Sequence, residues 1–361
     1  MIPFSTRLAA ILTLSLLPCS LEAAACPAVQ KVGPAAEEEA RQALERAAEH
    51  ASKGRYRRAR DSFKRIVFHW PETRAGREAK RRLADNSFFS WSDVVRNGPS
   101  EARIDVVFLG EGYTFDQQDA FDDVAADLPR LFERSPVFGE YFTYFNFLRG
   151  NVVSLEAGVD GFGRSASTAL GGAVLDYTNA GNATVDHGRV RDVLQNIPGS
   201  EGLAVVVVKR GNAGTGGNGV ATIGRNDTRI LLHEWGHAFA SLGDEYAVDQ
   251  GFRHKIASTR VNVSVTEDEE EVPWAHWIAA GTPGIGTYEG AAGQVRDVWR
   301  PKASGCIMND GQLFFCEPCR EAIVLSIYER LDPILAGKTI RPRSRCHHRG
   351  SAAFGHYQRL K

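Results

Sequence analysis

The stretch "LLHEWGHAFASLGDEY", residues 231–246, decides the reading of this chain. His233 and His237 stand four residues apart, with Glu234 between them and Asp244 and Glu245 just beyond. On a helix, residues four apart share a face, so the two imidazoles can reach one ion at about 2.0–2.1 Å. Glu234 sits beside the first histidine, placed to take a proton from water rather than to bind the ion itself. Ile230, Leu231, Trp235, Ala238 and Leu242 give the same helix a broad apolar face, which would seat the pair at the floor of a cleft. Two histidines do not hold a catalytic zinc, so a third protein ligand is expected. Asp244 is preferred, with Glu245 and Glu289 as alternatives. A continuous helix would carry Asp244 about 10 Å past His237. The expected remedy is Gly243, taking a left-handed conformation that ends the helix and turns the chain back.

The rest of the chain frames this motif. It has 361 residues, a net charge of −1, 43% apolar and 24% charged residues, so nothing global points to nucleic acid or an anionic membrane. Residues 1–25 read as an export signal, with Arg7, the apolar run "LAAILTLSLLP" and a small-residue cleavage site. The mature protein is thus expected to be secreted, periplasmic or on the outer surface of a bacterium. Cleavage after Ala25 would leave Cys26 first, a candidate lipid anchor, although "LEAAA" matches a lipobox poorly. Residues 36–85 are helical in composition and resemble tetratricopeptide-repeat sequence, with Gly54, Tyr56, Ala59, Phe63 and Pro71 in the corresponding places. One repeat or so is too few for a free-standing array, so this segment must pack on something, and docking of a protein partner is one use for it. Residues 51–82 hold twelve Lys/Arg against three acids, and the tail within 336–361 is basic, both read as solvated surface.

Strand and helix patterns alternate from about residue 100. "RIDVVFLGEGY" (103–113) and "GLAVVVVKR" (202–210) read as buried strands, and the segment after the first has helical spacing up to its prolines. An α/β or α+β domain over 100–335 is expected. "GTGGNG" (214–219) satisfies the G-x-G-x-x-G pattern, yet no helix opens on it, and a glycine-rich cleft rim is the better reading than a nucleotide site. Cys306, Cys316 and Cys319 fall within 14 residues, where an exported protein would carry a disulfide staple; with Cys346 they are also candidates for a second metal site.

The motif and its surroundings resemble the immunoglobulin-A peptidase family of bacterial zinc metallopeptidases, which joins HExxH to a downstream Asp-Glu-Tyr. The likeness extends to "VVFLGEGYT" (106–114), "YFNF" (144–147), "VVSLEAGVDG" (152–161), "STALGG" (167–172), "VPWAHWI" (272–278), "YEGA" (288–291), "CIMND" (306–310) and "FCEPCREAI" (315–323). It implies a zincin-like fold with an active-site helix and a methionine turn, similar to metzincins, in which Met308 lies beneath the metal. It also implies one catalytic Zn2+, bound by His233, His237 and Asp244, with Glu234 as general base and Tyr246 or Tyr288 at the oxyanion. One departure stands out: the metzincin position of the third ligand falls here on Gly243, so Asp244 rests on this family's own pattern. The expected activity is endopeptidase cleavage of a protein or peptide. A binding protein that keeps the fold without the chemistry is the alternative, and the intact Glu234 argues against it.

Overall fold

A computed structural model describes residues 32–161, 163–175, 181–225, 228–248, 260–310 and 314–336. The expected signal segment, Cys26, Cys346 and all but the first residue of the basic tail lie outside these. Among the described residues no helix is long and apolar enough to cross a membrane.

Three helices open the chain: α1 (Pro34–Ser52), α2 (Tyr56–His69) and α3 (Arg74–Arg82). Strands β1 (Ser87–Val95) and β2 (Ile104–Glu111) follow, then α4 (Gln118–Asp127), α5 (Pro129–Arg134) and α6 (Pro136–Glu140). The prolines of this segment do not end its helical character. Pro129 and Pro136 each start a new helix, where a missing N–H costs nothing. Next come β3 (Phe145–Val153), the short pair β4 (Ala173–Leu175) and β5 (Asn182–Thr184), and α7 (His187–Leu194). Strands β6 (Ala204–Val208), β7 (Thr215–Gly217) and β8 (Val220–Gly224) lead into α8 (Leu231–Ala240). The last elements are α9 (Ala275–Ala279), the hairpin β9 (Tyr288–Ala291) and β10 (Gln294–Arg300), the short α10 (Ile307–Asp310) and α11 (Glu317–Ala336).

The main sheet has the order β1-β3-β2-β6-β8-β7. Its four central strands run parallel, and both edges, β1 and β7, are antiparallel to their neighbours. Parallel strands need cover on both faces, which is why β2 and β6 are buried at every position. The period-two alternation of a strand then divides the core. Ile104, Val106 and Phe108 face α4, α5, α8 and α11, together with Val205, Val207 and Trp235. Val107, Leu109, Ala204 and Val206 face the other way, toward Leu170, Val190 and Leu194.

The N-terminal helices close onto β1. Their small and aromatic positions, including Ala40, Ala47, Ala59 and Phe63, pack with Phe89 of β1 in one buried cluster. Phe63 and Phe89 meet edge to face with ring centroids 5.4 Å apart. The helical segment expected over 36–85 therefore has a partner within its own chain.

Candidate metal centre

Helix α8 follows strand β8 after a short connection and is buried almost all round. Leu231, Leu232, Glu234, Trp235, Gly236, Ala238, Phe239 and Ala240 are buried, and only His233 and His237 keep partial exposure. The expected apolar face is thus real, and Phe239 and Leu232 extend it. A helix sunk this deeply shows its surroundings two imidazole edges and little else.

The helix ends at Ser241, which adopts the left-handed conformation (φ 55°, ψ 30°). Ser241, not the expected Gly243, is thus the left-handed residue that ends the helix. Gly243 is required for another reason. A Cβ on it would stand 2.7 Å from Val263 Cγ2, so the glycine permits a close approach of the 260–263 segment. The Gly243 N–H donates to Asn262 Oδ1 at 2.7 Å, and Asn262 Nδ2 donates back to the Gly243 carbonyl. Ala292 and Gly293 donate their N–H groups to the carbonyls of Asp244 and Tyr246, and Glu245 donates its own to the Met308 carbonyl. The segment after the helix is therefore pinned from three sides.

This turn brings Asp244 back to the histidines. His233 Nε2, His237 Nε2 and Asp244 Oδ1 are each 3.1 Å from the other two. Tetrahedral ligands about 2.05 Å from an ion would lie roughly 3.3 Å apart. The tautomers sharpen the point. His233 Nδ1 lies 2.9 Å from the Ile307 carbonyl, and His237 Nδ1 lies 2.7 Å from the Leu242 carbonyl. Both contacts place the ring proton on Nδ1 and leave a lone pair on each Nε2. Three acceptors then converge on one point with no donor among them, an arrangement that needs a cation. The residues fit a divalent metal.

A proton can take that role when no metal is present. Burial by itself would lower His233, but the hydrogen bond with Asp244 and the nearby Glu234 and Asp244 charges hold it up at about 9. The same bonds keep Asp244 well below the usual carboxylate range against the opposing effect of burial. Metal must displace the His233 proton, so uptake releases it. Below pH 9 the apparent zinc affinity of this site should rise about tenfold per pH unit and flatten above it. Competition titration with a zinc chelator from pH 6 to 9 measures this, and a pH-independent affinity would mean that His233 holds no proton for the metal to displace.

Glu234 is 5% exposed, and burial raises it to about 7 even with both histidines pulling it down. Strand β7 lies across it. A Cβ on Gly214 would stand 2.8 Å from Glu234 Cγ, and one on Gly216 would stand 2.1 Å from the Glu234 carbonyl oxygen. The glycine-rich stretch hence holds an edge strand set against the histidine helix, and Gly214 and Gly216 are the glycines that let it approach. Met308 is fully buried in α10, with its sulfur 3.0 Å from where a Gly236 Cβ would be. Tyr246 is half-buried with its ring stacked on His233 at 6.2 Å, and burial together with the nearby Asp244 and Glu234 charges pushes its hydroxyl up.

The alternatives for the third ligand separate clearly. Glu289 is exposed on β9 and accepts the Asp297 N–H, and Tyr288 beside it pairs with Arg300. Glu245 is fully buried, but it points into a group formed with Cys306, Cys316 and Cys319. Those three cysteines carry no disulfide bond, where a staple was expected. Burial pushes the Glu245 carboxyl up to about 8.

Residues 93–285, just over half of the chain, match the family model described as IgA Peptidase M64. The chain belongs to the IgA peptidase M64 family. No curated protein matches it. The M64 match spans α8, Asp244 and Asn262, and it stops short of Met308 and the three cysteines. Membership makes the chain a peptidase of a metallopeptidase family, with a protein or peptide as substrate.

Proposed function

We propose that this M64 peptidase is an exported, zinc-dependent endopeptidase, with His233, His237 and Asp244 as the zinc ligands and Glu234 as general base. The supporting observation is the convergence of three lone-pair donors at 3.1 Å, each imidazole turned by a carbonyl at its Nδ1. When bound, zinc supplies a Lewis acid that polarises the scissile carbonyl and makes water more acidic. Glu234 accepts the water proton and returns it to the leaving amine. A carboxylate raised by burial toward neutrality is suited to both transfers. Tyr246, stacked on His233, supports that ligand, and Met308 packs against the helix at Gly236. Export rests on the sequence of residues 1–25.

The test pairs elemental analysis of the purified full chain with cleavage of an unstructured protein such as casein. His237→Ala should lose one zinc per chain and all measurable cleavage together, and a chelator should silence the wild type. Full cleavage by a His237→Ala chain that has lost its zinc would overturn the proposal.

A further inference from the structure

Asp244 and Glu245 are neighbours in sequence, yet their carboxylates serve different groups. Glu245 Oε1 lies 3.0 Å from Cys319 Sγ and 3.5 Å from Cys316 Sγ. Cys306 Sγ is 4.0 Å from Cys319 Sγ and accepts the Cys316 N–H at 3.4 Å. All four ligand atoms fall within 4.8 Å of one another. None of the four residues is more than 2% exposed.

A disulfide does not account for this arrangement. The 4.0 Å separation of Cys306 and Cys319 is about twice an S–S bond, and three cysteines would leave one unpaired in any case. A disulfide would also leave a carboxylate buried against neutral sulfur. Asn262 Nδ2 donates to Glu245 Oε1, but Glu245 Oε2 is buried with no hydrogen-bond partner. A fully buried carboxylate oxygen without a partner is costly. The other oxygen, Oε1, sits among the cysteine sulfurs, the ligand type that soft and borderline ions prefer.

We propose that Cys306, Cys316, Cys319 and Glu245 form a second, closed zinc site with a structural role. Sulfurs about 2.3 Å from zinc would lie roughly 3.8 Å apart, and a carboxylate oxygen about 3.5 Å from each. The observed separations of 4.0, 3.5 and 3.0 Å surround these values. Four buried protein ligands leave no open position, which marks a structural ion rather than a catalytic one. The Cys316 N–H, directed at Cys306 Sγ, offsets thiolate charge.

The site joins three segments that build the floor of the first centre. Cys316 and Cys319 lie at the start of α11. Cys306 precedes Ile307, whose carbonyl orients His233. Glu245 follows Asp244 directly. An ion here would fix the loop that presents Asp244, so its loss should also weaken zinc at the histidine centre.

The test uses the full-length His237→Ala chain, prepared under reducing conditions and loaded with zinc or cobalt(II). It should retain one ion per chain, and the cobalt form should show sulfur-to-cobalt charge-transfer absorption in the near ultraviolet. Cys319→Ser, or Glu245→Gln where the serine variant does not fold, should remove the retained ion when added to His237→Ala. A folded His237→Ala chain with no ion and no sulfur signal would overturn the proposal, as would an intact mass two hydrogens short after purification without oxidant. Failure here is distinct from failure of the endopeptidase reading. A single wild-type ion that His237→Ala removes would keep that reading and reject this site. A single ion with sulfur absorption, untouched by His237→Ala, would do the reverse.

Discussion

Glu234→Gln should bind zinc as tightly as the wild type and cleave protein about 10²–10⁴ times more slowly. The amide matches the carboxylate in shape, so the packing of a side chain that is 5% exposed under β7 is preserved. What it removes is the ability to accept a proton. Because the zinc ligands are separate side chains, metal content should stay level while kcat falls and KM changes little. His237→Ala supplies the contrast, since there metal and turnover fall together. Elemental analysis beside kcat and kcat/KM on one peptide substrate distinguishes the two variants. Wild-type kcat in the glutamine variant would remove Glu234 from the chemistry.

The histidine pair was legible because its chemistry follows the helical repeat, and a four-residue spacing survives any tertiary context that keeps the helix. The buried strands were equally plain, because "AVVVV" and "IDVVFLGE" are apolar enough to need cover on both faces. The turn after α8 was harder. Preference for glycine in the left-handed region pointed to Gly243, yet Ser241 takes that conformation, and Gly243 instead makes room for Val263. Propensity identifies residues that tolerate a conformation, but tertiary packing selects which of them uses it. The destination of Glu245 was beyond reach altogether. Its cysteine neighbours lie 71 and 74 residues away, and no local pattern encodes that meeting. Strand β7 was missed for a different reason. Three residues with two glycines carry no alternation to read, and what holds the strand is its ladder to β8 and its fit against α8.

That fit carries the second large effect. Gly216→Ala should destabilise the chain by about 3 kcal/mol and depress cleavage with it. The added methyl would meet the Glu234 carbonyl oxygen at 2.1 Å and His237 Cβ at 2.8 Å, where ordinary contacts begin near 3.4 Å. The obstacle is backbone, so no rotamer change relieves it. Either β7 lifts from α8, breaking its pairing with Ala221, or the helix shifts and carries Glu234 and His237 out of register with Asp244. Gly217 provides the matched control on the same strand. A Cβ there meets nothing within 4 Å, so Gly217→Ala should stay within about 0.5 kcal/mol of wild type. Denaturant unfolding and zinc-dependent cleavage of the two variants side by side decide the matter. Equal behaviour would mean that the glycine at 216 is not there for close approach, and that β7 does not hold the histidine helix in place.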